Sequence, residues 1–173
     1  MARQLSLAVA WGCTITVVAC VIAMVYFAID IHAFENVGVK NLGFSIQWNS
    51  VHTQQWYGVW MLTVAYLGIG LWGLFYLRRA FLGFAAGEFF NRSNSRDLRL
   101  FAMLLFAQAA AKVLHTSLCS LVLSINHPPG QKMLAISFGS HELQLIALAL
   151  ILWVISDLLV KGAELEQENK QFV

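Results

Sequence analysis

The chain alternates between long apolar runs and short polar breaks. Apolar residues dominate four stretches of spanning length, about 5–29, 54–77, 99–124 and 139–160. A bilayer core of about 30 Å takes about 20 helical residues, so each stretch suffices, the third with some tilt. At this length only helices satisfy the backbone in lipid. The pattern predicts an all-α membrane protein: one domain over 1–173, built as a bundle of four transmembrane helices.

The breaks between the runs differ in character. In 43–48, Phe44, Ile46 and Trp48 alternate with Ser45 and Gln47, and in 133–138, Leu134, Ile136 and Phe138 take every second position. Period two predicts short strands, and Pro128-Pro129-Gly130 supplies a turn before the second. The expectation is a small β-cap that pairs these two loops. The 80–98 break sets Phe81, Phe84, Phe89 and Phe90 among glycines and arginines, which predicts a segment lying on the membrane surface. Asn91 or Ser93 is placed to cap the third helix, with Asp97 near its start. The tail 161–173 carries Glu164, Glu166 and Glu168 and reads as an amphipathic helix end in water.

Composition narrows the class. The 173 residues are 59% hydrophobic and 12% charged, about half the charged share of a soluble domain, and the mean hydropathy is +0.68. A chain this small exposes too much surface to hide that much apolar side chain in water. A water-soluble domain, a disordered chain and a basic nucleic-acid-binding domain are excluded. Cys13, Cys20 and Cys119 fall inside apolar runs with no CxxC, and read as small buried residues. The run 5–29 is too long for a cleavable signal segment. Val17-Val18-Ala19-Cys20 resembles a lipoprotein cleavage box, but the residues after Cys20 stay apolar, which argues against lipidation.

Charge sets the expected orientation. Arg3, Arg78, Arg79, Arg92, Arg96, Arg99, Lys161 and Lys170 fall on one side of the predicted spans, and Lys40 and Lys132 on the other. Eight against two places both termini and the 80–98 loop in the cytoplasm.

Polar residues inside spans are costly and are functional candidates. Lys112 lies about 13 residues into the third span, roughly 20 Å from its start at 1.5 Å per residue. Gln108, Lys112, His115 and Cys119 follow i, i+4, i+7, i+11 and share a helix face, which must point into the bundle. Asp157 and Glu142 on the fourth span are the candidate partners of Lys112. Side chains lean toward their helix N-terminus, which favours Asp157. Such a pair is readable as structural glue, as an ion or proton path, or as a signalling latch.

The histidines gather on the outer side: His32, His52, His127 and His141 at or beyond the boundary, and His115 in the outer third. With Asp30, Glu35 and Glu142 they form a set of potential ligands, of which His32, His52, His115 and His141 are candidates for a metal. No pair has the spacing of a known metal motif, and no motif calls for a cofactor. A haem or redox carrier would need histidines facing each other near mid-span, and the first span has none at that depth. Catalytic motifs are missing: there is no G-x-S-x-G, no glycine-rich phosphate loop and no paired intramembrane aspartates. Ser117, Ser120 and Ser124 near His115 are expected to bond to backbone or a neighbouring helix. The expectation is a protein that is not an enzyme.

Two segments resemble a known family. Gly87-Glu88-Phe89-Phe90, Asn94 and Asp97-Leu98-Arg99 are similar to its pattern of a Gly, a Phe, an Asn and a Leu-Arg opening the third span. Gly162-Ala163-Glu164-Leu165-Glu166-Gln167-Glu168-Asn169 is similar to its closing stretch, ending in Glu168 and Asn169. The family is the bacterial domain of unknown function 2975. Where its pattern often has Pro after Gly-Glu, this chain has Phe89. The resemblance implies a four-helix protein of the bacterial inner membrane. Genes of the family often adjoin one for a small helix-turn-helix regulator, which implies such a regulator as partner.

The expected function is therefore a regulatory or sensory inner-membrane protein acting through the 80–99 loop and the tail. The first alternative is a small transport or ligand-binding protein using Gln108, Lys112, His115, Glu142 and Asp157. The second is a haem or redox membrane protein.

Overall fold

The computed structural model describes residues 2–41, 51–87, 91–126, 132 and 134–171. Among these residues there are five helices: α1 (Ala2–Ile29), α2 (Ile31–Asn41), α3 (Thr53–Ala85), α4 (Arg92–Ser124) and α5 (Ser140–Gln171). All but α2 are long and apolar enough to cross a membrane. A multi-pass helical membrane protein follows from length and hydropathy alone.

The long helices pack in chain order, α1 against α3, α3 against α4 and α4 against α5, so α3 and α4 form the middle. Residue placement suits lipid. The fully buried side chains are mostly small or polar, including Ser95, Ser120, Ser124 and Ser156. Large apolar residues such as Leu114, Met61 and Ile151 face outward. Between helices in lipid there is no hydrophobic drive, so close backbone approach through small residues holds the contact. On α3, Gly70 admits the amide of Gln108 at 2.6 Å from where a Cβ would stand, and Gly83 admits the side chain of Asn94.

The helices outrun the apolar stretches. α3 and α4 have 33 residues each, about 50 Å of helix against a core of about 30 Å. Most of the 80–98 segment is accordingly part of the two long helices. α3 continues to Ala85, and α4 begins at Arg92. Gly87, at φ +88°, turns the chain just past α3 in the left-handed conformation open to glycine. Asn91 caps α4, its side chain accepting from the Ser93 N–H at 2.9 Å. As expected of a helix end, α5 runs on through the tail to Gln171.

Sequence patterning missed α2. Asp30 breaks the helix, and its carboxylate accepts the Ala33 N–H at 3.1 Å. From there α2 folds over α3, where Ile31 and Phe34 pack with Trp56, Val59, Cys119 and Leu123.

The expected β-cap has no counterpart among the described residues. Segment 43–48 lies outside them, and 134–139 forms no strand. Leu134, Ile136 and Phe138 are exposed. The small residue between them makes the contact instead. The Ala135 N–H donates to Ser120 Oγ at 2.9 Å, and Ala135 O accepts from Ser117 Oγ at 3.1 Å. Two serines of α4 satisfy the backbone that a partner strand would have satisfied.

Candidate functional site

One half of the bundle has a polar interior. Its centre is α4, whose face Gln108–Lys112–His115–Cys119 meets α3. The Lys112 ammonium sits 5.8 Å from the ring centre of Tyr66, a cation–π distance. His115 lies against the same ring at 5.1 Å. Its Nε2 is shared by Thr63 Oγ1 at 3.0 Å and Cys119 Sγ at 3.4 Å. Its Nδ1 is buried with no hydrogen-bond partner among the described residues.

Lys112 does not meet Asp157. Asp157 lies at the other end, 3.7 Å from Arg99 Nη1. Positions 99 and 112 on α4 are about 20 Å apart, and α5 runs antiparallel, so Asp157 stands level with the start of α4. The lean of a side chain could not bridge that gap. Glu142 is buried in the first turn of α5 and accepts the Gly139 N–H at 2.7 Å, so its carboxylate is engaged at a helix start. No carboxylate comes within ion-pair distance of Lys112 among the described residues.

The histidines do not converge. His32 pairs with Glu35 at 3.3 Å on the surface of α2. His52 precedes α3 and gives its backbone N–H to Gln55 Oε1 at 2.7 Å. His141 is exposed at the start of α5. With His115 inside the bundle, these four candidates bring no three metal-ligating side chains together among the described residues.

The opposite end is built from charge pairs. Arg79 of α3 meets Asp97 of α4 at 3.1 Å, with the Asp97 side chain 7% exposed. Arg99 pairs with Asp157 and lies 4.5 Å over the Trp153 ring. Arg92 reaches Glu164 at 3.5 Å. Below these, Ser156 Oγ donates to the Ser95 carbonyl at 2.7 Å, fully buried. The residues of the family-like motif serve this end. Asn94 and Leu98 are buried, Arg99 ties α4 to α5, and Gly87 turns the chain after α3. Phe90 lies outside the described residues, and Glu168 and Asn169 fall on the last turns of α5.

Gln55 escaped the sequence reading. Besides capping α3, it donates from Nε2 to the carbonyls of Val122 at 2.8 Å and Leu123 at 3.2 Å. One amide thereby satisfies open backbone groups at the start of α3 and the end of α4. The only signal was its place three residues after a helix-start position.

No protein-family model, no curated protein and no solved structure matches this chain.

Proposed function

We propose that this is a non-enzymatic regulatory or sensory protein of a bacterial inner membrane, with both termini in the cytoplasm, that answers to a small anion inside its bundle. One observation carries the reading: Lys112 holds a charge within the bundle that no carboxylate of the described residues pairs at contact distance. An unpaired ammonium in a membrane interior is costly. An anion beside it lowers that cost and favours whichever packing admits it. A ligand shifts a conformational equilibrium only by such differential affinity. The lysine and arginine asymmetry supports the orientation. The resemblance over 87–99 and 162–169 supports a cytoplasmic helix-turn-helix regulator as the partner that reads the change.

Two measurements test this. Chloride, acetate and bicarbonate, added to purified protein at constant ionic strength, should include one that raises the melting temperature of the wild type and leaves Lys112→Met unmoved. Equal shifts in both proteins overturn the anion site. A pull-down from native membranes should recover a DNA-binding protein with the full-length chain and not with one truncated after Lys161. Recovery independent of the tail overturns the assigned contact.

A further inference from the structure

A second site stands at the arginine end, independent of the Lys112 reading. Between the first turns of α4 and the later turns of α5 opens a cleft of roughly 380 Å³, lined by Arg92, Ser95, Arg96, Arg99, Val160 and Glu164, with Ser156 below. Its floor is the buried Ser156–Ser95 hydrogen bond, which fixes the two helices close together. Arg92, Arg96 and Arg99 follow i, i+4, i+7, so one face of α4 presents three guanidinium groups. Two are answered by carboxylates, Glu164 at 3.5 Å and Asp157 at 3.7 Å. Both contacts are long, and each lies about half exposed or more. Arg96 is exposed and makes no ion pair among the described residues. The cleft therefore keeps one positive charge in excess.

Its depth indicates what that charge is for. The exposed apolar residues Ile151, Val154 and Ile155 of α5 lie on the turns next to the cleft toward the middle of the helix. Trp153, under Arg99, stands in the same zone. Apolar surface on one side and guanidinium groups on the other mark the boundary where lipid phosphates lie. A guanidinium pairs with phosphate through two parallel hydrogen bonds. Basic pockets between spanning helices at such a boundary hold acidic head groups.

We infer that the α4–α5 cleft binds the head group of one acidic phospholipid, its phosphate held by Arg96 with Arg92 and Arg99, its acyl chains running toward the middle of the helices. The lipid would complete the charge balance of this end and brace α5 against α4.

Native mass spectrometry of the full chain in mild detergent, titrated with phosphatidylglycerol or phosphatidylcholine, tests the assignment. One phosphatidylglycerol should bind in preference to phosphatidylcholine. Arg96→Ala removes an exposed side chain without touching either ion pair, so the variant folds. It should weaken that binding about fivefold, the effect of one basic residue near a membrane surface. Arg78→Ala, on the α1-facing side of the same end, should leave it unchanged. Equal losses in both variants would show diffuse attraction to positive charge and overturn the site, as would equal binding of the two lipids. Inorganic phosphate that displaces the lipid at millimolar concentration would identify a free-phosphate site and overturn the lipid.

Discussion

At the arginine end, Asp97 meets Arg79 and Asp157 meets Arg99, and Ser156 is bonded to the Ser95 carbonyl. At the other end, among the described residues, Lys112 lies over Tyr66 without a carboxylate at ion-pair distance, and His115 keeps a buried nitrogen without a hydrogen-bond partner. Both ends use polar groups, but to different effect. Where a charge meets its opposite across a helix pair, as Arg79 and Arg99 do, the contact fixes the relative position of two helices. Where a charge meets only an aromatic face, the packing is satisfied and the charge is not. The first arrangement suits a hinge or clamp, the second a site that something else completes.

Five substitutions probe that contrast, by chemical denaturation or thermal melting in mild detergent. The largest loss should follow Arg79→Ala, which strands the buried Asp97. Breaking a buried pair from one side costs about 3 kcal/mol at the lower edge of the usual range, and the half-exposed arginine argues for that edge. An unchanged midpoint would remove the α3–α4 clamp. Next comes Gly83→Ala, which drives a methyl into the short, buried Asn94 side chain, for about 2 kcal/mol of overpacking. Gly70→Ala should cost less, because the end of the longer Gln108 can swing aside. Equal losses at the two glycines would erase the difference between a rigid end and an adaptable one. Ser156→Ala should cost about 1 kcal/mol, the worth of one buried hydrogen bond. Lys112→Met should move the other way, stabilising the protein by about 1 kcal/mol, since it removes an unpaired charge from the membrane interior. A destabilised Lys112→Met would mean that the lysine is already paired, and the two ends would then be alike.

The spans were readable because twenty apolar residues in a row admit few other structures. The cap at Asn91 was readable because side-chain capping is local. The polar face of α4 was readable as well, since Gln108, Lys112, His115 and Cys119 follow the helical period. The partners of those residues were not. Side-chain lean alone favours Asp157 for Lys112, but Lys112 lies about 20 Å along α4 from Arg99, and the antiparallel run of α5 puts the aspartate beside that arginine instead. The β-cap expectation failed for a related reason. Alternation in 134–138 was real, but the exposed face carried the bulky residues, and the backbone between them found serines rather than a strand.

The sequence by itself determined that this is a multi-pass helical protein with its ionisable groups, Lys112 and His115 apart, sorted toward the helix ends. Apolar run length and charge position are local quantities, and the bilayer judges them one segment at a time. Only the tertiary structure decided which charge meets which, that α2 folds back over Trp56, and that Gly70 and Gly83 are contact points. Those outcomes depend on helix register and crossing, and a shift of one residue turns a side chain about 100° around its helix.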